Sequence, residues 1–282
     1  MPCMEKARTL LRVALPTSIL TVEHGLALKS IRIHQVARWT SIFGVYEVIF
    51  YKEPAADIKE FQEHRTIIED HWRYFFTPPY LRKQLIPLTP TLRYVGMLPP
   101  IRLKSFDVGK RPKTGEVRLG YVYRDLDGKF KALVGDTSPY LVIGNCRHVD
   151  KVIPLLIRSA EKRVAECLEE HVYAGPTLSF INSFKDLLDK YRKTSKYVIA
   201  TDKMGEIPSD EQVKELRGSD AIILFGSPKY DLFEIASQEG LDLKKYVDYV
   251  WNTVPFQKVV TVRTEEALII TLGVLNFSLR GI

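Results

Sequence analysis

At 282 residues the chain can bury one large core or two modest ones. Its 45% hydrophobic and 27% charged composition is that of an ordinary globular protein, which excludes a disordered chain. No apolar run approaches the roughly 20 residues that span a bilayer, and a net charge of +7 admits nucleic acid as a partner without requiring it.

The N-terminal MPCMEKARTLLRVALP lacks a signal-peptide core and enters a strand-like run directly. Cys3, Cys146 and Cys167 are widely separated and form no CxxC pair. A zinc site and a disulfide framework are therefore not expected, and a reducing, cytoplasmic setting is. His34, His64, His71 and His148 show no ligand spacing, so no metal is expected.

Thr9–Leu15 reads as a buried strand ending at Pro16. Helical spacing follows over Leu26–Phe43, where Leu28, Ile31, Val36, Ala37, Thr40 and Phe43 recur every three to four residues, and Gly44 stops it. Val45–Tyr51 is a second strand, rich in β-branched and aromatic residues, and Asp57–Phe75 a long charged helix closed by Thr77-Pro78-Pro79. Strand, helix, strand, helix predicts an α/β domain with a parallel sheet. After Pro87 the rhythm changes. Glycines and prolines punctuate the short runs Val117–Tyr123, Phe130–Val134 and Tyr140–Ile143, with Asp127-Gly128 a hairpin turn between the first two. That is the pattern of a small barrel-like insertion. Its end is blurred, because Val152–His171 has no clean period.

From Ser179 the α/β rhythm returns. Ser179–Tyr191 reads as an amphipathic helix, Lys196–Ala200 as a strand, Glu211–Arg217 as a short helix and Ala221–Phe225 as a fully apolar strand. A helix to Gln238 follows, with Gly240 as its stop, and then a strand over Val247–Trp251. The last helix begins near Thr264, an N-cap residue type followed by Glu265 and Glu266 in the first turn. Ala267, Leu268, Ile269, Ile270, Leu272, Val274 and Leu275 leave it almost no polar face, so burial on several sides is expected.

Three strand ends in the last third carry small or polar residues: Thr201-Asp202, Gly226-Ser227 and Asn252-Thr253. In neighbouring parallel strands such loops converge at the carboxyl edge of the sheet, where ligands bind. Turn formation alone would equally explain these residue types. Gly226 belongs to neither GxGxxG nor GxxxxGK[ST], so dinucleotide and phosphate-loop readings lack their fingerprints.

The stretches ALPTSIL (Ala14–Leu20), QVARWTSIFGVYEVIFY (Gln35–Tyr51), PPYLRKQLIPLTPTLRYVGMLPPI (Pro78–Ile101), AIILFGS (Ala221–Ser227) and VWNTVPFQKVVTVRTEEALIITLGVL (Val250–Leu275) carry a resemblance. The sequence resembles the SPOUT class of S-adenosylmethionine-dependent RNA methyltransferases, the α/β-knot enzymes. Within it the match is to the branch with an inserted OB-like domain, described as RNA uridine-N3 methyltransferases. The resemblance implies a SPOUT domain over residues 1–100 and 173–282, with a C-terminal trefoil knot, and an OB-like RNA-binding insertion over 101–172. It implies a cytoplasmic homodimer that methylates RNA, with ribosomal RNA as the expected substrate. By matching position it implies S-adenosylmethionine binding by Gly226, Asn252 and Thr264, joined by Thr201, Val254 and Thr261.

The same resemblance makes Arg38 the catalytic residue, since a fixed guanidinium can stabilise negative charge gathering on a uracil ring. Asp202 and Glu266 are candidate bases, with solvent plus Arg38 the other route to deprotonation. Arg82, Lys83 and Arg93, within a run that interleaves basic and aromatic residues, and Arg263 are candidate RNA contacts. Membrane and metal partners are not expected. The rival reading is a non-catalytic RNA-binding or ribosome-assembly protein that keeps the fold.

Overall fold

The structure, a computed structural model, describes residues 9–144 and 146–279. In chain order these form β1 (Leu10–Pro16), α1 (Leu26–Ile42), β2 (Glu47–Tyr51), α2 (Ile58–Phe76), α3 (Arg82–Leu85), β3 (Val117–Arg124), β4 (Phe130–Leu133) and β5 (Tyr140–Ile143). Then come β6 (Lys151–Ser159), β7 (Val164–Cys167), β8 (Thr177–Ile181), α4 (Phe184–Thr194), β9 (Tyr197–Glu206), α5 (Asp210–Glu215), β10 (Asp220–Leu224), α6 (Leu232–Gln238), β11 (Tyr249–Trp251) and α7 (Thr264–Leu279). Two compact units result: Met1–Trp72 with Thr91–Leu98 and Gly175–Ile282, and Arg73–Pro90 with Pro99–Ala174.

The first unit is built on a six-stranded sheet, all parallel, in the order β11-β9-β10-β1-β2-β8. Central strands of such a sheet are covered on both faces and read as continuous apolar runs. Accordingly Val13, Ala14 and Leu15 of β1, and Ala221 to Leu224 of β10, are fully buried. Leu187, Leu188 and Tyr191 of α4 and Leu232, Ile235 and Ala236 of α6 join one core with Ala14, Ile222 and Leu224. Gly44, at φ 67°, supplies the left-handed turn that releases α1 into β2.

Two expectations change here. Ser179–Tyr191 is not one helix: Thr177–Ile181 is β8, paired in parallel with β2, and α4 starts only at Phe184. The divider is Ser183, whose side chain caps α4 by accepting the Asp186 N–H, so the residues before it are free to extend. The last helix is buried along one stripe rather than on several sides. In α7 one stripe is buried (Thr264, Glu265, Leu268, Thr271, Leu272, Leu275, Leu279), while Ile270 and Phe277 face outward, Phe277 at 85% exposure.

The second unit holds a closed five-stranded barrel, β3-β4-β5-β7-β6, antiparallel except for the parallel pair β5–β7. This is the insertion that the punctuated middle segment predicts, and the blurred stretch resolves into β6 and β7. Val122, Ala132, Val142, Leu155, Ile157 and Ala165 fill its interior. Gly128, at φ 77°, completes the β3–β4 turn, where the Gly128 N–H donates to Asp125 O at 3.0 Å. The cysteine expectation is overturned. Cys146 and Cys167 form a disulfide with their Cα atoms 5.6 Å apart, although 21 residues separate them. The β6–β7 pairing sets Cys167 opposite Leu155 and so delivers it to the loop that carries Cys146. No helix among the described residues is long and apolar enough to cross a membrane.

Candidate functional site

Strands β11, β9 and β10 are adjacent and parallel, so the chain leaves all three at the same edge of the sheet. Their exits and the approach to α7 enclose a cavity of about 350 Å³. That lies within the range of roughly 300–1,000 Å³ typical of small-ligand sites. Thr201, Gly226, Asn252, Val254, Thr261 and Thr264 all line it, together with Asp202, Asp231 and Glu234. Residues from four separate segments thus meet in one place.

Most of the polar side chains among those six hold the walls together. Thr201 Oγ1 donates to Leu224 O at 2.9 Å, tying β9 to β10. Thr264 Oγ1 donates to Gly226 O at 2.9 Å, tying the first turn of α7 to the glycine loop. Asn252 is used at both ends, its Nδ2 donating to Lys203 O at 2.8 Å and its Oδ1 accepting the Val254 N–H at 3.0 Å. Thr253 and Thr271 share a buried hydroxyl–hydroxyl bond of 2.7 Å. A ligand would therefore meet backbone groups and the lining charges more than these side chains.

Two glycines have a steric reason. A Cβ on Gly205 would lie 2.6 Å from Val250 O, so only glycine lets β9 run against the irregular β11 pairing. A Cβ on Gly226 would lie 3.1 Å from Tyr230 O. That oxygen is pinned by the Ser227 N–H at 2.9 Å. Beyond it Asp231 and Glu234 form a reciprocal capping box that starts α6.

The cavity charge is uneven. Burial pushes the Asp202 carboxyl above its usual range; the Met204 N–H it accepts pulls back, and Asp231 and Glu234 add to the rise. A carboxyl so placed is a better base than a solvated one. Lys203 and Lys229 also line the cavity.

Arg38 is not among the cavity-lining residues. It sits on the exposed face of α1 and makes no ion pair or hydrogen bond among the described residues. Arg263 is exposed beside Thr264, its N–H donating to Glu266 Oε2 at 2.9 Å. Arg93 is exposed, with its guanidinium 5.5 Å from the Tyr94 ring. In the second unit Lys83 is exposed, whereas Arg82 is half-buried and engaged. Arg82 donates to Thr77 O and Phe75 O and lies 4.4 Å over the Tyr74 ring, and burial lowers its pKa.

Arg32, also on α1, does not line the cavity either, but it pairs with Glu265, the neighbour of the cavity-lining Thr264. Its signal lies in the sequence. Arg32, Val36 and Thr40 recur at four-residue spacing on the buried stripe, and an arginine there must be paired. Among the described residues no group of three His, Cys, Asp or Glu side chains could hold a metal ion.

Over 286 aligned positions the chain is 26% identical to an uncharacterized protein of Halobacterium salinarum, covering 94% of this chain and 98% of that one. It is 24% identical to the 28S rRNA (uridine-N(3))-methyltransferase of Mus musculus, covering 94% of this chain and 76% of that protein. The Homo sapiens protein of the same name is likewise 24% identical, over 94% and 77%. Residues 10–275 match the family described as "Putative RNA methyltransferase". A match over nearly the whole chain, sheet and barrel included, makes this chain a member of that RNA methyltransferase family.

Proposed function

We propose that this chain transfers a methyl group from S-adenosylmethionine to uridine N3 of ribosomal RNA, acting as a homodimer with the trefoil-knotted SPOUT topology. The observation that carries the reading is the convergence of Thr201, Gly226, Asn252, Val254, Thr261 and Thr264 on one cavity in a member of an RNA methyltransferase family. The residues present fit the cofactor. The lining carboxylates Asp202, Asp231 and Glu234 suit its cationic sulfonium and ammonium groups, and Lys203 and Lys229 its carboxylate.

When bound, S-adenosylmethionine supplies an electrophilic methyl group. The chain's own part is to orient, to handle the N3 proton and to stabilise charge. Asp202, which lines the cavity and whose carboxyl burial makes more basic, is our candidate to take that proton, with Glu266 and solvent plus Arg38 as the other routes. Arg38 supplies positive charge to the uracil ring, which from an exposed face of α1 it would do across a subunit interface. The outward apolar residues Ile270 and Phe277, seven apart on α7, support burial of that face against a second copy. The exposed Lys83, Arg93 and Arg263 would neutralise phosphates.

The test is nucleoside mass spectrometry after incubation with isotopically labelled S-adenosylmethionine and ribosomal RNA lacking the modification. Labelled 3-methyluridine is expected from the wild type, falling about a hundredfold or more in Arg38→Ala if its charge stabilisation is lost. Label on another nucleoside would overturn the uridine assignment. Cofactor binding without any label would favour the assembly-factor reading, and a monomer by light scattering would overturn the dimer.

A further inference from the structure

Arg32 is among the most buried charges of the first unit, its side chain 8% exposed. Its guanidinium pairs with Glu23 and with Glu265, and Nη1 donates to Gln35 Oε1 at 2.9 Å. Nε adds a bond of 3.0 Å to Glu23 Oε1. Glu265 is buried too, its side chain at 6%, and Glu23 is largely covered at 11%. Removing three charges from water is costly unless donors and acceptors are well matched, and deleting one member strands the others. Burial raises the Glu265 carboxyl above its ordinary range, and the paired Arg32 guanidinium offsets part of that rise.

That place is the first turn of α7. Glu265 directly follows Thr264, which lines the cavity and bonds Gly226 O at 2.9 Å. One side of this turn is thus tied to the glycine loop and the other to α1. Two turns on, Thr271 bonds Thr253 of the third cavity loop. The N-terminal half of α7 is the common support of two cavity walls, and Arg32 is its only ion-pair tie to α1 among the described residues.

We propose that Arg32 is a positioning residue. Through Glu265 it fixes the first turn of α7, and with it the Thr264–Gly226 wall, so that ligand affinity depends on an arginine outside the cavity. The affinity part rests on the S-adenosylmethionine reading; the structural part does not.

The test uses the full chain with Arg32→Met, Arg32→Lys and Glu265→Gln, read by amide hydrogen exchange, thermal melting and calorimetry with S-adenosylmethionine. Arg32→Met should speed exchange over residues 225–227 and 264–271 about tenfold or more while β1 and β2 stay close to wild type. Its Kd for S-adenosylmethionine should rise about tenfold. Arg32→Lys keeps one charge pair and should recover most of both. Should Arg32→Met fail to fold, Glu265→Gln, which keeps an acceptor but not the charge, is read the same way.

Unchanged exchange at 264–271, or a uniform acceleration across the sheet, overturns the proposal. Local acceleration with an unchanged Kd overturns its affinity part. A wild type that binds no S-adenosylmethionine overturns the cofactor reading, and the exchange comparison then decides the role of Arg32 alone.

Discussion

Gly226→Ala tests the cavity at its tightest point. Gly226 does not sit in the left-handed region, so alanine can adopt its backbone conformation and the cost is purely steric. The added Cβ would meet Tyr230 O at 3.1 Å and the Asp231 Cα at 3.4 Å, both backbone atoms. Neither gives way easily: Tyr230 O accepts the Ser227 N–H at 2.9 Å, Tyr230 N–H donates to Ser227 Oγ at 2.9 Å, and Asp231 is locked in the α6 capping box. Relief therefore needs the 226–231 turn to move by a few tenths of an ångström. Overpacking of this kind costs about 1–3 kcal/mol. If that cost falls on the ligand-competent arrangement, the Kd for S-adenosylmethionine rises roughly fivefold to a hundredfold at 1.4 kcal/mol per decade.

The control is Gly96→Ala, an exposed position outside the left-handed region where a Cβ meets nothing within 4 Å. It should leave stability within about 0.5 kcal/mol of wild type and affinity unchanged. Calorimetry and thermal melting on both variants decide the matter. Wild-type affinity and melting temperature in Gly226→Ala would refute the claim that close backbone approach is what the glycine provides.

Replacing Cys146 and Cys167 with serine removes a cross-link over 21 residues. The loop-closure estimate is about 3 kcal/mol, to be read as faster exchange in β3 to β7 and matched by adding reductant; insensitivity to reductant would argue against the pairing. Tyr51 Oη donates to Phe225 O at 2.8 Å in full burial. Tyr51→Phe should therefore lower stability by about 1 kcal/mol in urea titration, and an unchanged midpoint would count against that bond.

Because the Asp202 pKa is raised in the folded state, the fold holds its proton at pH values where the unfolded chain has released it. Stability from this group thus falls as pH rises from its ordinary value near 3.8 through the folded value. Asp202→Asn should flatten that decline in melts across pH and weaken S-adenosylmethionine binding, and superimposable pH profiles would contradict the burial argument.

The sequence alone determined the class of fold and the neighbourhood of the site. A five-residue apolar run such as AIILF, ending at Gly226-Ser227-Pro228, reads as a strand covered on both faces, and glycine and proline punctuation between Pro87 and Ile143 marked the barrel before its strands could be counted. Of the residues that line the cavity, Thr201, Gly226 and Asn252 were legible as strand ends of small and polar type, whereas Val254, Thr261 and Thr264 followed only from the family resemblance. Other features were not legible, since they depend on which segments meet. Ser179 and Phe180 fit a helical period, and only the pairing of β8 with β2 made them strand. Cys146 and Cys167 share no motif, and only barrel closure brought them together.

The apolar face of α7 shows the same limit, because hydrophobicity records what can be buried and not what covers it. Arg38 and Arg32 are the sharpest case. Both lie on one helix, and periodicity distinguishes their faces, but it took the arrival of Glu265 from 233 residues further along the chain to give Arg32 a partner. Local sequence sets which atoms are available, whereas tertiary contact sets which charges are desolvated together, and the second decides which arginine holds the wall of the cavity.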